Sequence, residues 1–263
     1  MAVRKTKQGG QHHIHLHPGD VGRYVFLPGE PGRCEKIASY FDEPEFIAQN
    51  REYVTYTGKL LGQKVSVTST GIGCPSTAIA VEELIAVGAD TFIRIGTSGS
   101  IQPGSKAGEV AIITGAIRDE GTTLHYMPIE FPAVADLDVI QAMKEGAIRA
   151  KIPYRLGITQ SKDSFYGEVE PERMPIADQL KARWKAWEDG GAICSEMEAA
   201  AIFIISSIHR KRAGGVMLMA GSADQQPQTP EEIEEFKKLF DTHRAISSAV
   251  EGLKVLIEKD LKK

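Results

Sequence analysis

The sequence predicts an α/β fold: a mixed, mostly parallel central sheet flanked by helices. Three observations point there. Short apolar runs of strand length alternate with amphipathic stretches of helix length along the chain. Several strand-like runs leave into glycine-rich turns that open a helix. No repeat of 20–50 residues and no low-complexity tract interrupts the alternation. At 263 residues, 42% hydrophobic and 25% charged, the chain has ample material for a core. A single domain over residues 12–263 is expected, with the polar, basic segment 1–11 fraying.

Composition removes several function classes. The net charge of −4 provides no polybasic surface for nucleic acid or an anionic membrane. No apolar run approaches the ~18 residues of a membrane span, and the N-terminus lacks the apolar core of a signal peptide. The three cysteines, Cys34, Cys74 and Cys194, form no CxxC pair. They argue against a disulfide framework or zinc site and fit a reducing, cytoplasmic setting. His12, His13, His15 and His17 have no carboxylate or cysteine among them to complete a metal site.

Arg23 to Leu27 reads as the first strand, followed by the turn Pro28-Gly29-Glu30-Pro31-Gly32-Arg33 and a helix from about Pro31 to Tyr40. Gly29 and Arg33 suit an anion at a helix start, and equally an ordinary turn with a solvated arginine. Glu52 to Thr57 and Lys64 to Ser69 alternate as strands joined at Leu61-Gly62. Gly71, Gly73 and Pro75 introduce a helix from Ser76 to Val87, with Glu82 and Glu83 outside its densest apolar positions. Thr91 to Ile95 reads as a buried strand with Arg94 inside it, a costly charge unless a partner is waiting. That strand is expected to break at Gly96-Thr97-Ser98-Gly99, where hydroxyls, N–H groups and a guanidinium suit phosphate. A structural arginine tying down a turn is the alternative.

Further strands are expected at Glu109–Thr114, Leu156–Gln160 and Gly215–Ala220, with helices at Leu137–Ala150 and Gln179–Trp187. Asp163 to Pro175 reads as a loop and Ile193 as a short strand or turn. Ser195 to His209 reads as a helix and Pro230 to Leu261 as one long closing helix. Ser195 and Glu198 have the spacing of a capping box, and Glu196 would favour the helix dipole. Two carboxylates there equally suit the vicinal hydroxyls of a sugar.

Seven stretches occur in one order: LPGEPGRCEKI, NREYVTYTG, STGIGCPS, FIRIGTSGSIQP, EFPAVAD, DSFYG and SEMEAAA. Together they resemble the hexameric nucleoside phosphorylase family, most closely its uridine phosphorylase branch, from about His13 to the last strand. The lead-in Asp20 to Val25 and the run Glu170 to Pro175 look like the Gram-positive type of that branch.

The resemblance implies a three-layer α/β/α fold and phosphorolysis of a nucleoside, uridine first, to free base and α-ribose 1-phosphate. Phosphate is the co-substrate and no cofactor is required. Gly29, Arg33, Arg94 and Thr97 match the phosphate site, with Arg51 reaching it from a neighbouring subunit. His13 matches the histidine that crosses to the ribose 5′-hydroxyl. Met197 and Glu198 match the ribose-binding pair, and Arg94 and Glu198 are the residues expected to carry catalysis. Phe165 matches the aromatic beside the base. Glu52, Ile72 and Ser76 match a monovalent cation site, K+ in kind, at a subunit interface. A homodimer is then the minimal active unit, and a hexamer the expected assembly, with no nucleic acid or membrane partner.

The base pocket departs from the pattern. Glu168 stands where uridine phosphorylases carry a glutamine, although loop length leaves Glu170 open. Arg173 is the expected base-pocket arginine. A second arginine, expected after the last strand, is replaced by Gly221 to Gln226, and Asp224 there invites a purine reading. Purine or broad specificity, phosphate-independent hydrolysis and non-catalytic nucleoside binding are the rival functions. The trio Arg33, Arg51 and Arg94 argues against hydrolysis.

Overall fold

The computed structural model describes residues 9–262, which contain ten strands and eight helices. In order they are β1 (Tyr24–Pro28), α1 (Arg33–Ala38), β2 (Asp42–Asn50), β3 (Tyr53–Leu60), β4 (Gln63–Thr68), α2 (Cys74–Ala86), β5 (Thr91–Ser100), β6 (Ala107–Asp119), β7 (Ala133–Val134) and α3 (Leu137–Arg149). They continue as β8 (Tyr154–Lys162), α4 (Phe165–Val169), α5 (Ala177–Asp189), β9 (Cys194–Glu196), α6 (Ala199–Ile208), β10 (Arg212–Ala220), α7 (Pro230–Leu239) and α8 (His243–Asp260). Of the segment expected to fray, residues 1–8 lie outside the described residues. Gln11 is buried, and its N–H donates to the Leu16 carbonyl at 2.9 Å.

All ten strands join one mixed sheet. β5 is its axis. Along Thr91–Ile95 it runs parallel to β1, and along Thr91–Ser98 parallel to β10. Beyond the end of β1, β5 takes a new neighbour: Gly99 and Ser100 pair antiparallel with Ser195 and Cys194 of β9. From β9 the ladder continues through β8 and β6 to β10 and so returns to β5, closing a five-stranded ring. On the other side β1, β4, β3 and β2 extend as an open wing.

The sheet separates two apolar cores. Phe92 of β5 packs with residues of α2 and α6 on one side. Ile93 and Ile95 pack with residues of α1, α3 and α8 on the other. This is the three-layer arrangement that strand–helix alternation calls for.

Three expectations change, and β2 is a strand in a stretch to which no element was assigned from the sequence: its Asp-Glu-Pro-Glu start is exposed and polar, as an edge strand should be. β5 does not break at Gly96 but runs on to Ser100, because β9 and β10 supply ladder partners there. The closing helix is two helices, interrupted at Phe240 to Thr242. Glu83 is buried rather than outside the apolar face of α2, since its carboxylate accepts the N–H groups of His13 and Ile14, each at 2.9 Å.

Candidate active site

The exchange of β1 for β9 beside β5 leaves a crevice at the carboxyl ends of parallel strands, the place where open α/β sheets bind ligands. A cavity of about 540 Å³ fills it. Its walls come from the turn after β1 (Gly29, Glu30, Arg33), the upper half of β5 (Arg94, Thr97, Ser98, Gly99), the end of β8 with α4 (Lys162, Phe165, Glu168, Val169), and the β9–α6 junction (Ser195 to Glu198). Ile72, Ala220 and Phe240 complete the rim.

Arg94 is only 4% exposed. Its Nε donates to Glu196 Oε2 at 2.7 Å and its Nη2 pairs with Glu198 Oε2. Nη1 is buried and has no protein partner. It lies beside Gly29, where a Cβ would stand 4.0 Å from it. Gly96 is required by this fold of the side chain: a Cβ there would stand 3.0 Å from Arg94 Nη2 and 2.7 Å from Met217 Sδ. Burial works against the Arg94 cation, but the Glu198 and Glu196 carboxylates hold its pKa above the ordinary arginine value. Arg33, nearer the mouth, is held below that value by burial and by the charge of Arg94. Two neighbouring guanidinium groups and an orphaned buried donor make a site that calls for an anion.

Glu196 and Glu198 divide the remaining work. Glu196 accepts from Arg94, from Ser161 Oγ at 2.5 Å, and from the backbone N–H groups of Glu198 and Ala199, both at 2.9 Å. It thereby caps α6 and fixes Arg94. The expected capping box of Ser195 and Glu198 is absent, because Ser195 belongs to β9 and the Glu198 side chain turns into the cavity. Glu198 Oε1 accepts the Gly73 N–H at 2.6 Å. Gly73, at φ +95°, can present that N–H because it has no Cβ to strain. Burial raises the Glu198 carboxyl above the usual carboxylate range, against the pull of Arg94.

At the opposite end Lys162 and Glu168 form a second ion pair, Nζ to Oε1 at 2.8 Å. Sequence reasoning passes over Lys162: it sits between Ser161 and Asp163 with no motif to mark it, and only the end of β8 turns it inward. Phe165 opens α4 half over the cavity, edge-on to Tyr166 with ring centroids 5.5 Å apart.

Thus Gly29, Arg33, Arg94, Thr97, Phe165, Glu168, Met197 and Glu198 converge on one cavity, with Ile72 at its rim. Arg173 does not: its side chain is 66% exposed, pairs with Glu170 and lies over the Tyr166 ring. The Pro171–Arg173 turn carries it outward, away from the cavity at which it was expected to meet the base. Asp224 is also elsewhere, accepting from Gly104 N–H at 3.3 Å beside a separate groove. His13 and Arg51 do not line the cavity of their own chain. His13 Nδ1 bonds Glu83 Oε1 at 2.7 Å, and Asn50 Nδ2 donates to the His13 carbonyl at 2.6 Å, which sets His13 beside the turn bearing Arg51. Glu52 and Ser76 meet around Gly71, where a Cβ would stand 2.7 Å from Glu52 Cγ and 3.2 Å from Ser76 Oγ. The Ser76 hydroxyl donates to the Ile72 carbonyl at 3.4 Å.

Residues 23–253 match the model of the phosphorylase superfamily. The chain is 50% identical to a uridine phosphorylase of Treponema pallidum, the match covering 95% of each chain. It is 44% identical to a uridine phosphorylase of Thermococcus kodakarensis, over 98% of this chain and 91% of that one. A guanosine phosphorylase of Halorubrum lacusprofundi is 37% identical over 84% of this chain and 90% of its own. The chain belongs to the phosphorylase superfamily.

Proposed function

We propose that this chain, acting over residues 12–263 as one domain, is a pentosyltransferase that cleaves uridine with phosphate to uracil and α-ribose 1-phosphate. The observation that carries this reading is Arg94 Nη1, a buried cationic donor without a protein partner beside Gly29 and Arg33. A hydrolase would have no use for it. Phosphate bound by Arg94, Arg33, Thr97 and the Gly29 turn approaches C1′ from the face opposite the base. The C1′–O bond forms as the C1′–N bond breaks, through a transition state of oxocarbenium character, and the bonding pair leaves with the base. The guanidinium groups hold the nucleophile in line without deprotonating it. Met197 and Glu198 hold the ribose, Glu198 accepting from its 2′- and 3′-hydroxyls. Phe165 stacks beside the base.

The base edge is read by the pair Lys162 and Glu168. Lys162 donates to a carbonyl and takes the place proposed from sequence for Arg173, while Glu168 accepts the N3–H. Charge building on the departing ring is stabilised by the ammonium.

The remaining residues support an assembly of several copies. His13 and Arg51, adjacent to each other and outside their own cavity, would complete a neighbour's site, so a dimer is the minimal active unit and a hexamer of three dimers the full one. Glu52, Ile72 and Ser76 fit a monovalent cation such as K+, offering a carboxylate, a carbonyl and a hydroxyl, all hard oxygen donors. The ion would bridge two copies and take no part in the reaction. A cytoplasmic location fits the three buried free thiols, of which that of Cys194 is pushed by burial up to about 12.

Base release from uridine, thymidine, inosine, guanosine and adenosine, each with and without phosphate, tests the reading. Phosphate-dependent cleavage led by uridine is expected. Phosphate-independent cleavage overturns the arginine argument, and a lead by guanosine or inosine overturns the pyrimidine assignment.

A further inference from the structure

Behind the Lys162–Glu168 pair lies a second cavity of about 330 Å³, so the pair forms a partition between two spaces. A chain of polar groups, exposed at Arg183 and buried from Gln160 inward, reaches the partition from the outer side. Arg183 pairs with Asp119 Oδ1, and Gln160 Nε2 donates to Asp119 Oδ2 at 2.6 Å. An ionised aspartate only accepts, so the amide orientation of Gln160 is set: its nitrogen faces Asp119 and its oxygen faces inward. That oxygen lies 2.8 Å from Ser195 Oγ.

Ser195 Oγ is the crowded atom. Lys162 Nζ donates to it at 2.5 Å. Two acceptors also approach it, Gln160 Oε1 at 2.8 Å and Glu168 Oε2 at 2.7 Å. A hydroxyl has one proton to give. Of the two, the charged acceptor wins, since hydrogen bonds to carboxylates are the stronger ones. The Gln160 oxygen is then an acceptor in waiting.

We propose that Gln160, locked by Asp119, is the second acceptor of the Ser195 hydroxyl, so that Glu168 can release that hydroxyl and take the nucleobase N–H when substrate binds. The inference rests on the reading that Lys162 and Glu168 face the base. Ser195, Gln160 and Asp119 are positioning residues, and they touch neither sugar nor phosphate. Without Gln160 the released hydroxyl would point at no acceptor in a buried site, a state that costs about as much as one lost hydrogen bond. With it, the exchange conserves the number of bonds the hydroxyl makes.

Gln160→Leu, Ser195→Ala and the double variant, compared with wild type by uridine and phosphate kinetics, test the relay. Gln160→Leu should raise the KM for uridine about tenfold, the equivalent of one unsatisfied buried donor, and leave the KM for phosphate unchanged. In the Ser195→Ala background, where no hydroxyl needs a second acceptor, the same substitution should change neither. Asp119→Asn supplies an independent variant if Gln160→Leu fails to fold. In it Arg183 donates to the oxygen of the substituted amide, whose nitrogen then faces Gln160. The Gln160 amide must flip in response and present its own nitrogen to Ser195. The same rise in uridine KM is expected. A rise of equal size in both Ser195 backgrounds, a parallel rise in phosphate KM, or no rise at all overturns the relay. A wild type that releases no uracil in phosphate overturns instead the base-pocket reading beneath it.

Discussion

The two ends of the cavity are built on different principles. At the anion end, Arg94 lies within β5, held in register by β1 and β10, and Glu196 and Glu198 sit at the end of β9 and just beyond it. Backbone position there is set by ladders. At the base end, Glu168 rides on the five-residue helix α4, beyond the last ladder partner of β8, and its place is set by side chains: Lys162, Ser195, and Gln160 behind them. Ladder-fixed groups meet their ligand pre-organised, whereas groups fixed by side-chain bonds must exchange partners when the ligand arrives. On the proposed reading, the chemistry common to all substrates therefore sits on the sheet, and the choice among bases sits on the adaptable end.

The largest expected effect breaks the anion end. Arg94→Ala removes the orphaned donor and should lower kcat/KM for phosphate by about 10²–10³, the scale of one well-placed transition-state contact. Two buried carboxylates lose their partner as well, so a fall in thermal midpoint should accompany it. Uridine affinity, measured by calorimetry without phosphate, should change far less. Equal losses for both substrates would mean that the two ends are not separable.

Glu198 comes next. Glu198→Gln keeps an acceptor oxygen but loses the charge proposed to grip the sugar hydroxyls, and kcat should fall on the order of 10²-fold. A pH profile sharpens the point. The folded carboxyl sits above its ordinary value because of burial, so the ionised, hydroxyl-accepting form is present above that raised pKa and is lost as pH falls through it. The acid limb of kcat/KM should lie above the usual carboxylate range and vanish in Glu198→Gln. A limb at an ordinary carboxylate pKa would detach it from Glu198.

At the base end the effect is smaller and falls on the other substrate. Lys162→Met keeps most of the length of the side chain and removes the ammonium. It should raise uridine KM about tenfold or more, as expected for one lost charge-assisted bond, with phosphate KM unchanged. Turnover with a uridine analogue lacking the carbonyl that Lys162 meets should be indifferent to the substitution.

The same division decides what the sequence discloses. Arg94 within an apolar run, the glycines around it, and Ser-Glu-Met-Glu at a helix start are legible because strand ends and helix starts are local features with spacing rules. Two details are not: the continuation of β5 past Gly96, and the place of Ser195 in a strand. Both follow from the pairing of β5 with β9, between residues far apart in the chain. At the base end almost nothing is local. Lys162 and Gln160 from β8 meet Ser195 from β9, and their meeting depends on sheet order rather than spacing. Arg173 shows the converse, since nearness in sequence to Phe165 and Glu168 does not bring it to the cavity they line.

The smallest predicted effect is therefore the most pointed. Arg173 is largely exposed, paired with Glu170 three residues earlier and laid over Tyr166. An exposed ion pair of that kind contributes at most about 1 kcal/mol. If Lys162 is the cation that reads the base, Arg173→Ala should alter uridine KM and kcat by less than about twofold and move the thermal midpoint little. A tenfold rise in uridine KM would mean that the Pro171–Arg173 turn swings Arg173 into the cavity when substrate binds. Lys162 would then share its role. Repeating the substitution in Lys162→Met separates the two cases: a silent Arg173 stays silent there, while a shared role makes the second loss far larger than the first.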